Sequence, residues 1–93
     1  MINSFADRDT RRLWERGRSQ KIPADLHRRA LRKLAMLNAA ASLDVLRAVP
    51  GNRLEKLSGN RAEQHSMRIN DQYRVCFVWE GSDAHQVEIT DYH

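Results

Sequence analysis

The stretch Tyr73-Arg74-Val75-Cys76-Phe77-Val78-Trp79-Glu80 decides the fold of this chain of 93 residues. Large apolar and aromatic side chains stand at every second position, which is the period of a β-strand with one buried face. The side chains of Tyr73, Val75, Phe77 and Trp79 are therefore predicted to face the core. Arg74 lies between them and is predicted to face outward from the sheet.

Three further strands are predicted around this one, with turn residues between them. They are Leu54–Ser58, Gln64–Ile69 and Ala84–Asp91, with a polar loop around residues 59–61 after the first. Successive strands joined by short loops run antiparallel. Strand 73–80 is therefore expected to lie between the two other long strands.

The loop before strand 73–80 sets the register of the first hairpin. A three-residue loop at 70–72 pairs Met67 with Val75 and keeps the core apolar. A two-residue turn would instead pair Met67 with Arg74. The three-residue loop makes Arg68 and Arg74 cross-strand neighbours on the outer face, where like charges are unfavourable unless an anion or an acid lies between them.

The loop after strand 73–80 sets the second register. A three-residue loop at 81–83 pairs Phe77 with Val87. In that register the segment Asp91-Tyr92-His93 ends beside Arg74. Two arginines, an acid, a phenol and an imidazole then meet at one end of the sheet. Such a group of titratable residues is typical of a functional site, although surface ion pairs also gather charges.

Helical patterns precede the sheet. The first five residues are predicted to form a short edge strand, and Asp7 is a suitable N-cap for a helix over Arg8–Arg16 that Gly17 ends. A second helix begins near Pro23, and its apolar residues recur three and four positions apart. Those residues are Leu26, Ala30, Leu34, Leu37 and Ala41. A further helical turn is predicted before Pro50-Gly51.

These elements predict an α+β fold. A short N-terminal strand and a two-helix hairpin pack on one face of a mostly antiparallel sheet. A chain of this length is expected to form one domain, residues 1–93. We expect a cytoplasmic protein without a membrane partner, because the chain has neither a bilayer-length apolar run nor a signal-peptide pattern.

The charge of the chain favours a polyanionic partner. Sixteen Lys and Arg against twelve Asp and Glu give a net charge of +4. All of the basic residues except Lys21, Lys33 and Lys56 are arginines, whose planar guanidinium suits bidentate phosphate contacts. A solvated basic surface explains the same composition.

The sequence offers little for metal or cofactor chemistry. The four histidines have no ligand spacing, and the single cysteine, Cys76, cannot complete a zinc site. Cys76 lies in an apolar strand, so we expect it to pack in the sheet. No metal or other cofactor is therefore expected. Two interpretations of Arg74 stay open: it binds a phosphate, or it forms a surface salt bridge with Glu88 or Asp91.

Five short motifs, in this order and at these spacings, resemble the RelE/ParE superfamily and within it the HigB-type (host inhibition of growth) toxins. The likeness covers essentially the whole chain. The motifs are Met1-Ile2-x-Ser4-Phe5, Asn52-Arg53-Leu54-Glu55-x-Leu57-x-Gly59-x-Arg61, Ser66-x-Arg68-Ile69-Asn70, Tyr73-Arg74-Val75-x-Phe77 and Asp91-Tyr92-His93.

This resemblance implies a RelE-like fold and the toxin of a type II toxin–antitoxin pair. The toxin would be a ribosome-dependent, metal-independent endoribonuclease that cleaves mRNA and inhibits translation and growth. Its partners would be the ribosome, mRNA and a HigA-like helix-turn-helix antitoxin. Operator DNA would be contacted only through the complex with the antitoxin.

The resemblance also implies roles for individual residues. Arg74 matches the strand arginine that stabilises charge on the scissile phosphate. Asp91, Tyr92 and His93 match the C-terminal acid, tyrosine and histidine of the active site. Either Asp91 or His93 would be the base, and the other the acid.

The residues expected to bind RNA are Arg53, Lys56, Arg61 and Arg68. The chain departs from the family pattern at residues 55–58, where HigB toxins often carry a histidine, a lysine or both. Here that segment offers Lys56 as its one base. Two other functions use the same features: a ParE-like toxin that targets DNA gyrase, and a non-catalytic basic module that binds nucleic acid.

Overall fold

The N-terminal half of the chain is helical in the structure, a computed structural model that describes residues 1–91. Helix α1 spans Arg8–Arg16, as predicted. The Asp7 carboxylate accepts a hydrogen bond from the amide of Thr10 (3.2 Å), and Gly17 ends the helix with a φ of 81°. The predicted N-cap and the predicted C-terminal glycine of this helix are therefore both confirmed.

The second helix follows a short 3₁₀ turn. The turn spans Ala24–Leu26 behind Pro23, and helix α2 spans His27–Ala39. The predicted buried stripe holds until the helix ends. Ala41 lies beyond that end and is exposed, whereas Ala40 is buried. The prediction for Ala41 is wrong, because the helical period stops two residues before it.

The third helix and the sheet complete the chain. Helix α3 spans Leu43–Arg47, which confirms the helical turn predicted before Pro50-Gly51. Strand β1 covers only Glu55–Lys56, and a 3₁₀ turn at Gly59–Arg61 follows it. Within residues 1–91 the sheet has four antiparallel strands in the order β1-β2-β3-β4. The last three are β2 Gln64–Arg68, β3 Tyr73–Glu80 and β4 Asp83–Asp91.

The register of the first hairpin is confirmed. Met67 pairs with Val75, and Arg68 pairs with Arg74. The side chain of Asn70 stabilises the three-residue loop, because its Oδ1 accepts from the amides of residues 72 and 73 at 2.9 and 2.7 Å. The loop length and the apolar pattern thus agree.

The second hairpin differs from the prediction at its turn. Glu80 pairs with Asp83, so the turn has two residues rather than three. The register shifts by one between the pairs of Cys76 and Val78. Gln86, with a φ of 53°, lies in this β-bulge, where two residues of β4 face one residue of β3. The predicted simple pairing of Phe77 with Val87 is therefore replaced by the bulge.

Beyond the bulge the predicted register is restored. Val75 pairs with Ile89, and Tyr73 pairs with Asp91. The bulge also affects the N-terminal segment, which contacts β4 through two isolated parallel bridges, Ile2 with Ala84 and Phe5 with Val87. The predicted edge strand over the first five residues is reduced to these bridges, because β4 is irregular between them.

The helices pack on one face of the sheet and enclose the core there. Helical residues Leu13, Ala30, Leu34 and Leu37 belong to the same buried cluster as the β3 residues facing them. Burying this apolar surface is the main stabilisation of such a domain. The core is completed by Ile22, Leu26, Ala40, Leu46, Met67, Ile69, Val75, Phe77, Ala84 and Val87. In residues 1–91, none of the helices has the length and apolar character to cross a bilayer.

Candidate functional site

Arg74 lies on the sheet face that the helices leave uncovered. It follows Tyr73 in β3, and the alternation of the strand sends it away from the core. Arg68 of β2 and Thr90 of β4 are its cross-strand neighbours. The side chain is nevertheless buried, with 9% of the residue exposed. The outward direction is as predicted, but the sheet face is not open at this point.

Three hydrogen bonds hold the guanidinium of Arg74, and every acceptor is a neutral oxygen. Nε donates to Ser66 Oγ at 2.7 Å, and Nη2 donates to the carbonyls of Arg53 and Ser66 at 2.6 and 3.3 Å. Among residues 1–91, neither a carboxylate nor any other acceptor bonds to Nη1. Arg74 is thus a buried cation without a counter-ion from the described chain, and it keeps two N–H donors for another group.

The carboxylate of Glu88, one of the two acids suggested as a partner for Arg74, belongs to another arginine. Arg61 Nη1 lies 2.6 Å from Glu88 Oε1 and 2.8 Å from Gln64 Oε1. Both residues of this ion pair are partly buried. The interpretation that Arg74 forms a salt bridge with Glu88 is therefore wrong.

A tight turn at Gly51-Asn52-Arg53 places the carbonyl that binds Arg74. Gly51 has a φ of 90° and Arg53 a φ of 44°, and a positive φ costs free energy at the non-glycine residue. Asn52 between them is fully buried, and its Nδ2 donates to the carbonyl of Leu46 at 3.0 Å. The surrounding contacts therefore hold a strained turn against the site.

Asn52 also connects this turn to α2 and β2. Its Oδ1 accepts from the ammonium of Lys33, and its carbonyl accepts from the amide of Arg68 at 2.7 Å. Arg68 is the cross-strand neighbour of Arg74. One buried amide thus fixes the spacing between a helix, the turn and the strand beside Arg74.

Lys33 is a basic residue of this region that the sequence analysis did not single out. Burial lowers the pKa of Lys33, and the nearby charges of Arg68, Arg32 and Arg29 lower it further. The helical spacing of the sequence indicates where Lys33 lies. Lys33 stands three residues after Ala30 and four before Leu37, at the border of the buried stripe. Its ammonium reaches Asn52 from there.

The acid of the first hairpin loop is paired with Arg68. Arg68 Nη2 donates to Asp71 Oδ1. This hydrogen bond lowers the pKa of the Asp71 carboxyl. Because Asp71 is fully exposed, the pair adds little to stability. It keeps the carboxylate of the loop ionised beside a guanidinium.

Asp91 stands at the same end of the sheet as Arg74. It pairs with Tyr73, and its Oδ2 accepts from Gln72 Nε2 at 3.0 Å. The alternation of β4 places Asp91 on the face of Ile89, whereas Arg74 shares the face of Thr90. Proximity along the ladder is thus as predicted, but the two side chains start from opposite faces.

The remaining predicted site residues are dispersed. Tyr92 and His93 lie outside the described residues. Lys56 is exposed and pairs with His65 in the ladder, which places it on the face opposite Arg74. Arg53 meets Arg74 through its backbone, and its own side chain is exposed. Of the four residues expected to bind RNA, Arg53 and Arg68 lie beside Arg74.

Other reactive side chains have structural positions. Cys76 is fully buried between Ser66 and Glu88 in the ladder, and burial raises the pKa of its thiol. Its predicted packing role is confirmed. His27 Nε2 lies 3.0 and 2.8 Å from two carbonyls of the segment between α1 and α2. In the described part of the chain, no three His, Cys, Asp or Glu residues are grouped as metal ligands.

Comparison with known proteins identifies the family of this chain. Residues 3–93 match the model of HigB-like toxins, described as the RelE-like toxin of the type II toxin–antitoxin system HigB. The chain is 38% identical over 80 residues to "Toxin HigB-1" of Vibrio cholerae, a match covering 85% of this chain and 84% of that protein. An uncharacterized protein of Haemophilus influenzae is 34% identical over 67 residues, or 72% of this chain and 66% of its own length. The chain belongs to the HigB-like toxin family, so it is the toxin of a type II toxin–antitoxin system and has an antitoxin as its partner.

Proposed function

We propose that this toxin is a ribosome-dependent endoribonuclease that cleaves mRNA without a metal ion and so inhibits translation and growth. It works in the cytoplasm, and a HigA-like helix-turn-helix antitoxin neutralises it. Operator DNA is contacted only through the toxin–antitoxin complex. The family supports the toxin role, and the geometry around Arg74 supports the chemistry.

The observation that carries the proposal is the buried, unneutralised guanidinium of Arg74. A charge taken out of water is costly unless it is paired, and here the partners in residues 1–91 are three neutral oxygens. A phosphate diester supplies the missing negative charge. A non-bridging oxygen of the phosphate can accept from Nη1, which still has both of its hydrogens available.

The reaction that fits this cation is the attack of a ribose 2′-hydroxyl on the adjacent phosphorus. A base takes the hydroxyl proton, the new O–P bond forms, and the bond to the 5′-oxygen breaks. An acid protonates the departing 5′-oxygen, which leaves a 2′,3′-cyclic phosphate and a 5′-hydroxyl. Arg74 stabilises the extra charge on the five-coordinate phosphorus, an effect that typically contributes about 10²–10³ in rate.

The acid and base come from the C-terminal segment in this proposal. Asp91 and His93 exchange protons with the two oxygens, and Tyr92 helps to position the RNA. Arg53 and Arg68 bind flanking phosphates beside Arg74. The ribosome supplies the alignment by holding the transcript in an attack geometry.

The deciding experiment compares the ends of RNA fragments and the need for ribosomes. Purified toxin is incubated with a defined transcript, either free or engaged on ribosomes, and the fragment ends are mapped chemically. We expect cleavage of the engaged transcript, with 2′,3′-cyclic phosphate and 5′-hydroxyl ends. Fragments with 5′-phosphate ends would instead identify water as the nucleophile and refute the proposed reaction.

A second arm separates the other functions. Growth arrest without RNA cleavage, accompanied by inhibition of purified DNA gyrase, would assign the ParE-like activity. RNA binding without either cleavage or growth arrest would assign a non-catalytic module. Both results would remove the nuclease proposal while leaving the fold and the family unchanged.

A further inference from the structure

The guanidinium of Arg74 is held from one side. Nε and Nη2 make all three of its hydrogen bonds within residues 1–91, so Nη1 is the end that remains for a phosphate. Two of the three acceptors belong to Ser66 in the neighbouring strand β2. The third, the carbonyl of Arg53, makes the shortest contact at 2.6 Å and lies outside the strands. The direction of Nη1 therefore depends on how firmly this carbonyl is held.

The backbone of Arg53 does not favour the conformation that places this carbonyl. Its φ of 44° lies in the left-handed region, which costs free energy for a residue with a side chain. Such a conformation persists only where the surrounding contacts enforce it. The neighbours of the turn must therefore set the orientation of the carbonyl, and the adjacent, fully buried Asn52 is the residue that makes the contacts.

Asn52 is fixed at both ends of its side chain and at its own carbonyl. Oδ1 accepts from the ammonium of Lys33, and Nδ2 donates to the carbonyl of Leu46 at 3.0 Å. The backbone carbonyl accepts from the amide of Arg68 at 2.7 Å. These partners belong to α2, α3 and β2. A buried amide that is satisfied in this way cannot turn without breaking a bond to one of the three elements.

Stability alone does not explain the contact with Lys33. Burial lowers the pKa of the Lys33 ammonium, and three nearby arginines lower it further. Within the described part of the chain, Lys33 forms no salt bridge with a carboxylate. The ammonium thus lies in an unfavourable environment and donates to the neutral oxygen of Asn52. Groups held against their electrostatic preference are typical of functional sites.

We propose that Asn52 is a positioning residue of the cleavage reaction. It holds the carbonyl of Arg53 against Nη2 of Arg74, and this contact keeps Nη1 turned toward the scissile phosphate. Asn52 is fully buried, so it acts through Arg74 and does not touch the RNA. The inference rests on the proposed nuclease function, because it assigns the direction of the guanidinium to that reaction.

The expected effect is on the rate of the chemical step. Replacing Asn52 with alanine frees the turn, while every arginine proposed to bind RNA is retained. A displacement of about 1 Å at a reacting group can slow an enzyme by about 10²-fold. N52A should therefore lower kcat by about 10- to 100-fold and change KM by less than about threefold.

The kinetic test uses the full chain, a ribosome-engaged transcript and a matched control. N38A removes the same side chain from α2, where Asn38 Oδ1 accepts from the amide of Ile2 at 2.9 Å. This control should cleave as wild type does. N52A is also combined with R74Q. Because Asn52 acts through Arg74, the added N52A should slow R74Q by less than about threefold, whereas an independent effect would appear in full.

A second pair of variants decides the question if N52A does not fold. K33M removes the donor to Asn52 Oδ1 and keeps an apolar side chain, and it also removes a charge that burial disfavours. R32M removes the same charge from the exposed Arg32. K33M should lower kcat by at least about threefold, because the turn loses one of its contacts, and R32M should not.

Nuclear magnetic resonance of the free toxin tests the same contact without RNA. Nη2 of Arg74 donates to two carbonyls, which slows rotation about the Cζ–Nη2 bond. The ¹⁵N side-chain signals of Arg74 are assigned by their loss in R74Q. We expect slow rotation in wild type and N38A, and faster rotation in N52A and K33M.

Three kinetic results would overturn the inference. They are a kcat of N52A within about threefold of wild type, an equal loss in N38A, and a full additional loss when N52A is combined with R74Q. If N52A does not fold, an unchanged kcat in K33M has the same consequence.

The two kinds of measurement also separate this inference from the nuclease proposal. If the rotation of Arg74 responds as expected but no form of the toxin cleaves RNA, the nuclease proposal fails while the control of Arg74 by Asn52 stands. If rotation is as slow in N52A as in wild type, the inference fails whether or not the toxin cleaves RNA.

Discussion

Replacing Arg74 with glutamine should separate the chemistry of this toxin from its stability. In R74Q the positive charge is lost, while an amide of intermediate length remains near Ser66. We expect the rate of mRNA cleavage on ribosomes to fall by about 10²–10³, equal to about 3–4 kcal/mol of transition-state stabilisation. The reason is the role proposed for the guanidinium, which is to bind the scissile phosphate.

The same change should cost little folding stability, because two opposing effects are of similar size. Three hydrogen bonds are lost, and an unsatisfied buried acceptor costs about 1–3 kcal/mol. The glutamine amide can donate to Ser66 Oγ again, and solvent can reach the carbonyl of exposed Arg53. Within residues 1–91 the charge of Arg74 has no counter-ion, so removing this buried charge offsets part of the remaining loss. We therefore expect less than about 2 kcal/mol of destabilisation in urea denaturation.

Two matched variants sharpen the result. R74K keeps the charge, but its single ammonium cannot replace the planar fork, so cleavage should recover only partly. R47Q removes an arginine of α3 that is paired with Asp44 on the surface, and it should cleave as wild type does. Cleavage by R74Q within tenfold of the wild-type rate would refute the phosphate-binding role. An R74Q chain that fails to fold would show that the guanidinium is chiefly structural.

Three further predictions concern a buried amide, a partly buried histidine and the C-terminus. Asn52→Ala should destabilise the protein by about 1–3 kcal/mol in urea, because it leaves buried polar groups without partners; an unchanged midpoint would contradict this. Burial lowers the pKa of His65 from about 6.5, so its contribution to stability is full above that pH and declines as the pH falls below it. His65→Phe should flatten this decline, whereas His85→Gln should retain it. Deleting Tyr92 and His93 should abolish cleavage with little change in thermal stability, and a fully toxic truncated chain would exclude both residues from the reaction.

The alternation of β3 was enough to predict the part of the fold that carries the site. Every second residue of β3 is apolar, so a register error of one position would expose the whole set. That constraint, with the loop at 70–72, correctly predicts Arg68 opposite Arg74. The pairing of Tyr73 with Asp91, predicted from a three-residue loop at 81–83, is also found. Local patterns are reliable here because they and the core require the same arrangement.

The second hairpin shows where such reasoning fails. A two-residue turn and a bulge at Gln86 together produce the same register at Asp91 as a three-residue loop without a bulge. The prediction was therefore right at the end of the strand and wrong at its start. A glutamine with a positive φ carries no sequence signal, because this conformation is unusual for that residue.

The burial of Arg74 also lay beyond the sequence. The guanidinium is covered because the carbonyl of Arg53, 21 positions earlier in the chain, approaches it within 2.6 Å. That approach depends on a turn held by Asn52 through contacts with three separate elements. Contacts between distant segments of this kind leave no periodic pattern that a single sequence can show.

The ion pairs beside Arg74 matter more for the potential of the sheet face than for stability. Glu88 and Asp71 are acids that would repel an RNA phosphate approaching Arg74, and each is paired with an arginine, Arg61 or Arg68. The pair of Arg68 with Asp71, whose carboxylate is exposed, adds at most about 1 kcal/mol to folding. The effect of the two pairs on an incoming anion is larger, because they cancel the negative charges of these two acids. Of the three arginines, Arg74 is then the one without a counter-ion within residues 1–91. The sheet surface can therefore carry these acids while the electrostatic potential stays positive where the phosphate is proposed to bind.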